Sequence, residues 1–185
     1  MSEPRVSGED LLQRVFAPLI GLPAWCVRKS HGSFLTMEFG NPHLRIRQPM
    51  VASPNSSERV RQLLARRQIL PCGEWHLWIY CCHWRVIHEE REIASSESSN
   101  PEIIDAARRI DGQLLTNVTA DPTKGTSAFD FDLGAAIHTW PGDESDDEQW
   151  MLYQTGGDVF IYHADSHYSL GRGNEPSADA AWQEL

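Results

Sequence analysis

The chain has 185 residues, of which 41% are hydrophobic, and its net charge is −10. This length is enough for one globular domain, or for two small halves that share a core, so folding should need neither metals nor disulfides. No run of about 18 uncharged apolar residues occurs, and no signal-peptide pattern opens the sequence, which predicts a soluble cytoplasmic protein that does not bind membranes. The four cysteines show no CxxC spacing and are expected to be reduced.

The charge is unevenly distributed along the chain. Residues 1–97 hold 12 Lys and Arg against 10 Asp and Glu, a net charge of +2, whereas residues 98–185 hold 4 against 16, a net charge of −12. Nucleic-acid binding requires clustered basic residues, so the acidic half argues against a nucleic-acid partner. A basic protein is the partner that this charge favours.

The first half opens with a helical pattern followed by strands. Ser7 can cap GEDLLQRVFAPLI, whose apolar residues fall at helical spacing. The alternation in FLTMEF and LRIR then predicts two strands joined by a glycine-containing turn. A capped basic helix is expected at about residues 56–68.

The stretch EWHLWIYCCHWRV, residues 74–86, combines three tryptophans, two adjacent cysteines and two histidines. We interpret it as a hairpin whose aromatic side chains pack a sheet, because free cysteine is more often a small buried hydrophobe than a ligand. A zinc or thiol site is the alternative, although adjacent ligands seldom share a tetrahedral metal.

The second half repeats the order of the first. Asn100 and Pro101 suit the start of a helix over PEIIDAARRI, and strands are predicted in AFDFDL and AIHTW. The Gly-Gly turn in QWMLYQTGGDVFIY predicts a hairpin.

An internal repeat connects the two halves. Residues 20–49 align with residues 110–141 at offsets of 91 and then 92, and the alignment resumes at an offset of 75, which places Trp75 on Trp150. We therefore predict an α+β protein of two pseudo-repeated units, each a helix plus an antiparallel β-meander, which share a core or form two abutting lobes. The units are residues 1–97, with the inserted helix, and 98–171, followed by a poorly ordered tail at 172–185.

Two groups of residues are candidates for binding. An acidic run is a candidate docking surface for a basic partner, through steering and charge complementarity; it comprises Asp143, Glu144, Asp146, Asp147 and Glu148. A pocket between the two units is the alternative site; its candidate lining residues are Trp75, His76, Trp78, Cys81, Cys82, His83 and Trp84.

No catalytic or cofactor-binding motif stands out from the sequence. His163 and His167 are four residues apart and can share a strand face, but no HExxH-type motif accompanies them. Phosphate loops and a GxSxG nucleophile elbow are also absent. We therefore assign no catalytic residue, metal or cofactor.

Three segments, GEWHLWIYCCHW, DGQLL…FDFDLG and DEQWMLY…SHYSLGRG, resemble a family of uncharacterised bacterial proteins. The resemblance spans about residues 19–173 and implies no particular activity. The order of a strand, a charged loop and a W-x-L strand is also similar to that of small bacterial immunity-type and accessory proteins, without any binding residue to carry over. The sequence thus favours a non-enzymatic interaction protein, with a ligand-binding protein or enzyme as the alternative.

Overall fold

A computed structural model of the chain describes residues 8–142, 147–173 and 181–185. It is mostly β, with 48% of residues in strands and 15% in helices. The predicted α+β class is therefore wrong: the three helices of the described residues are short, and three sheets hold most of the regular secondary structure. The helices are α1 (Gly8–Phe16), α2 (Glu58–Leu64) and α3 (Asn100–Ile110).

The strands follow the chain in two groups, one on each side of α3. Before it lie β1 (Trp25–Lys29), β2 (Leu35–Phe39), β3 (His43–Arg47), β4 (Gln68–Cys72), β5 (Trp75–Ile79), β6 (Cys82–His88) and β7 (Arg91–Ser95). After it lie β8 (Leu115–Asp121), β9 (Thr126–Phe131), β10 (Ala135–Pro141), β11 (Glu148–Tyr153), β12 (Asp158–His163), β13 (His167–Arg172) and β14 (Gln183–Glu184).

Both large sheets contain strands from both halves of the chain. The seven-stranded sheet has the order β1-β2-β5-β11-β12-β13-β14, and the five-stranded sheet has the order β7-β6-β10-β9-β8. All of their pairings are antiparallel. The prediction that each half of the chain forms its own helix-plus-meander unit is wrong, because the chain changes sheets between β5 and β6 and again between β10 and β11.

The first change of sheet occurs within the cysteine-containing stretch. β5 pairs with β2 and β11, whereas β6 pairs with β7 and β10. Residues 80–82 therefore form a corner between sheets, and the predicted hairpin at 74–86 is wrong. The predicted Gly-Gly hairpin is present as β11 and β12, with Gly156 and Gly157 in the turn at positive φ.

A single apolar core contains side chains from both sheets and from two helices. Core-facing apolar residues alternate along β2 and β9. The other face of β2 is also covered, since Thr36 and Glu38 are buried. Phe129 and Trp150, on different sheets, have ring centroids 5.6 Å apart. α3 buries its predicted apolar face beside β1 and β7, and α1 packs against β8.

Trp84 and Trp150 take matching places in this core. Each is the third residue of the strand that follows a change of sheet, and both side chains are fully buried. The Trp84 indole donates to Ser33 O at 3.0 Å, and the Trp150 indole donates to Ser127 Oγ at 3.0 Å. The sequence alignment had matched Trp150 with Trp75, so the topology corrects that offset.

The tail was expected to be poorly ordered from residue 172. Residues 174–180 lie outside the described residues, whereas Gln183 and Glu184 pair with β13. The Trp182 ring lies against that of His163, with ring centroids 3.7 Å apart and an interplanar angle of 41°. The last residues thus extend the seven-stranded sheet by one short strand.

Candidate functional site

The cysteine pair and the end of the acidic run lie side by side at the corner between sheets. Tyr80 N donates to Gln149 O at 2.8 Å, and Cys81 N donates to Glu148 O at 3.1 Å. The structure therefore brings Glu148 and Asp147 next to the 80–82 corner. The other predicted docking residues, Asp143, Glu144 and Asp146, lie outside the described residues.

The thiol of Cys82 is poorly suited to nucleophilic chemistry. Its Sγ is partly buried and donates to Gln149 O at 3.3 Å. Burial raises the pKa of Cys82 to about 12, despite an opposing hydrogen bond from the backbone of Tyr80. Burial likewise raises the pKa of Cys72. Both thiols are protonated at neutral pH, whereas a reactive cysteine needs a lowered pKa.

The seven candidate pocket residues are divided among four places and do not line one pocket. Trp84 is in the core, and Trp75 packs against the core. Cys81 and Cys82 are at the corner. The other two places are the outer faces of the two large sheets. His76 and Trp78 lie on the outer face of the seven-stranded sheet. His83 lies on that of the five-stranded sheet and stacks on Trp140, with ring centroids 5.9 Å apart.

A pocket of about 200 Å³ does lie on the outer face of the seven-stranded sheet, where the halves of the chain meet. Glu38 on β2, His76 on β5 and Tyr153 on β11 are cross-strand neighbours in its floor. The base of β3 and β4 forms its wall, through His43, Arg45 and Cys72. Of the predicted pocket residues, only His76 lines it.

Glu38 is the electrostatic centre of this pocket. Its side chain accepts hydrogen bonds from Gly73 N at 3.0 Å and from His76 Nδ1 at 2.8 Å, and the residue is only 3% exposed. Burial acts to raise the pKa of Glu38, but these hydrogen bonds and the charges of His76 and Arg28 outweigh it and hold the pKa below its ordinary value of 4.5. Because an ionised carboxylate only accepts, His76 Nδ1 carries the proton of this hydrogen bond.

An aromatic cluster continues from the pocket along the same outer face. Trp78 and Tyr80 have ring centroids 5.0 Å apart, and Phe34 lies 4.5 Å from Tyr80. The Trp78 ring also lies 6.4 Å from that of Tyr153. Within the part of the chain that the structure describes, the buried indole nitrogen of Trp78 has no hydrogen-bond partner.

Residues 41–74 form an arm that leaves the body between β2 and β5. The arm consists of the two-stranded β3-β4 sheet and α2, which lies within the predicted helix at 56–68. Its base is fixed by three hydrogen bonds: Trp25 Nε1 to Gly40 O at 3.1 Å, Asn41 N to Glu74 Oε2 at 2.9 Å, and the Gly73 amide to Glu38. The pocket lies under this base.

One face of the arm is apolar and open to solvent. Leu44 pairs with Pro71 and Ile46 pairs with Ile69, and cross-strand partners share a face. Leu44 is 69% exposed, Ile46 is 56% exposed and Ile69 is 60% exposed. We call Leu44, Ile46, Ile69 and Pro71 the arm face.

The arm also differs in charge from the rest of the protein. It holds 6 Arg against 2 Glu, a net charge of +4, so the other residues carry a net charge of −14. Seven of the twelve exposed large hydrophobic side chains of the described residues lie in the arm. Sequence reasoning detected the basic helix but missed the apolar face, although the alternation in LRIR could have indicated it.

No protein family, curated protein or solved structure matches this chain. Among the described residues, no group of three His, Cys, Asp or Glu side chains is placed to hold a metal ion. In those residues, none of the helices has the length and apolar character that crossing a membrane would demand. The function must therefore be inferred from the surfaces themselves.

Proposed function

We propose that this chain is a non-enzymatic protein-interaction module, of the kind that immunity and accessory proteins represent, with the arm as its recognition element. The observation that carries the proposal is the exposed arm face, four apolar side chains on a two-stranded sheet. Contiguous exposed apolar surface is typical of protein interfaces. The raised thiol pKa values of Cys72 and Cys82 favour this reading over cysteine-based catalysis.

The acidic segment is proposed as a second docking surface, for a basic partner. Its described members, Asp147 and Glu148, lie near the corner at Tyr80 and Cys81, next to the aromatic cluster. The arm base is at the opposite end of β5, beside Glu74. The basic arm and the acidic segment thus lie at opposite ends of β5. Charge complementarity with a partner would increase the association rate at either surface.

The test is site-specific cross-linking of the full chain in its native cytoplasm. A photo-reactive residue replaces Ile46 in the arm face, and a matched control replaces Leu170, which is 53% exposed on β13. We expect discrete cross-linked proteins at Ile46 and not at Leu170. In the same cells, Leu44→Ser/Ile69→Ser should abolish these products without unfolding the protein, because exposed substitutions usually change stability by less than about 0.5 kcal/mol. Equal cross-linking at both positions would refute the assignment.

The pocket under the arm supports a second candidate function, binding of a small zwitterion. The Glu38 carboxylate and the Arg45 guanidinium line the same cavity, as do His43 and His76. A ligand that carries both an ammonium and a carboxylate would find groups of opposite charge there. Thermal-shift measurements with the free amino acids test this: a shift that His76→Ala removes would support the pocket, and no shift with any of them would count against it.

A further inference from the structure

We propose that the arm face docks on a second copy of this chain, and that two copies exchange arms around a two-fold axis. The inference rests on the proposed function of the arm and adds the identity of the partner. Its first support is charge. An arm of +4 attracts a body of −14, whereas two arms would repel each other.

The body carries an apolar corner that suits the arm face. Ile20 is 43% exposed, Leu114 is 36% exposed and Leu133 is 67% exposed. Backbone hydrogen bonds join their segments: Gly21 N donates to Leu115 O at 2.7 Å, and Asp132 N donates to Leu114 O at 3.0 Å. We call Ile20, Leu114 and Leu133 the body corner.

Acidic side chains flank the body corner. Asp132 precedes Leu133 and accepts from Leu114 N at 2.8 Å, and Asp130 lies two residues earlier on β9. Along β3, Arg45 and Arg47 alternate with Leu44 and Ile46 and therefore project from the opposite face of the strand. The body corner thus combines an apolar centre with acidic side chains, and the arm proposed to dock there has a net charge of +4, so the two elements are complementary in charge.

The placement of the two surfaces allows both contacts in one dimer. Leu114 forms an isolated bridge with Pro23, which is two residues before Trp25, and the Trp25 indole is bonded to Gly40 at the arm base. The body corner and the arm base are therefore at the same end of the body. A two-fold axis at that end would let each arm reach the other copy's corner, giving a closed dimer.

The inference is tested by sedimentation analysis of the purified full chain, at micromolar protein concentrations and at low and high salt. We expect a dimer that high salt weakens. The arm variant Leu44→Ser/Ile69→Ser and the corner variant Leu133→Ser should each raise the dimer Kd at least tenfold. Leu170→Ser, outside both surfaces, should leave it unchanged.

Mixing the two variants gives the decisive result. The corner variant still has an intact arm and the arm variant still has an intact corner, so their mixture should form a heterodimer at concentrations where each variant alone is monomeric. If the corner variant dimerises normally, or if the mixture stays monomeric, arm exchange is refuted. A monomeric wild-type chain also refutes it. If the chain is monomeric but its arm still cross-links to other proteins, the proposed interaction function is supported and only arm exchange is refuted. If no arm-dependent cross-links form either, both the proposed function and arm exchange are refuted.

Discussion

Replacing Glu38 with Gln tests whether the buried carboxylate holds the arm on the body. The substitution keeps the shape of the side chain but removes the charge that accepts from Gly73 N and His76 Nδ1. A hydrogen bond to a charged group contributes about 1.5–3 kcal/mol, and the substitution weakens two such bonds. Part of this loss is offset because the neutral Gln side chain does not carry the desolvation cost of a buried carboxylate. We expect the free energy of unfolding to fall by about 1–3 kcal/mol at pH 7.

The pH dependence of this effect has a definite sign. The folded-state pKa of Glu38 is below its ordinary value of 4.5, so the folded protein binds the proton less readily than the unfolded chain. The stabilisation is fully present above about pH 4.5, and it is lost as the pH falls through the folded-state pKa. The difference in stability between wild type and Glu38→Gln should therefore shrink on acidification.

Urea denaturation and hydrogen exchange measure the two consequences. A double-mutant cycle with His76→Ala should give a coupling energy of about 1 kcal/mol, since the two side chains are in direct contact. The Gly73 amide should exchange faster in Glu38→Gln, while amides of the buried strand β9 should change only in proportion to global stability. Additive effects of the two substitutions, together with unchanged exchange at Gly73, would refute the role given to Glu38.

Three further predictions concern a core tryptophan, the thiol at the corner between sheets and a glycine at the arm base. Trp84→Phe should lower the free energy of unfolding by about 1–3 kcal/mol, because it opens space in the core and removes the buried indole's hydrogen bond; chemical denaturation measures this, and an unchanged midpoint would contradict it. Cys82 should resist iodoacetamide at pH 8 and react only after unfolding, because its pKa is about 12; peptide mapping that finds rapid native labelling would contradict the assignment. Gly73→Ala should destabilise the protein, since a Cβ there would overlap the backbone of Phe39, whereas Gly142→Ala meets nothing closer than 3.7 Å and should shift the melting temperature little.

Local signals in the sequence correctly identified many of the elements. The helical spacing in residues 101–110 predicted α3, a helix with one buried face, and the alternation in FLTMEF predicted β2, although the structure buries both faces of that strand. The Gly-Gly turn predicted the β11-β12 hairpin for a backbone reason: positive φ is readily available to glycine. Charge counts likewise indicated a basic insert and an acidic second half.

Tertiary structure decided which strands pair and which side chains meet. The fold class was misjudged because strand alternation gives the buried face of a strand but does not name its partners. The chain crosses between sheets at residues 80–82. As a result, one short stretch places its tryptophans, cysteines and histidines in the core, at a corner and on the outer faces of two sheets. The Glu38–His76 pair formed by strand pairing and the exposed arm face could likewise be recognised only after folding, because both depend on contacts between residues distant in sequence.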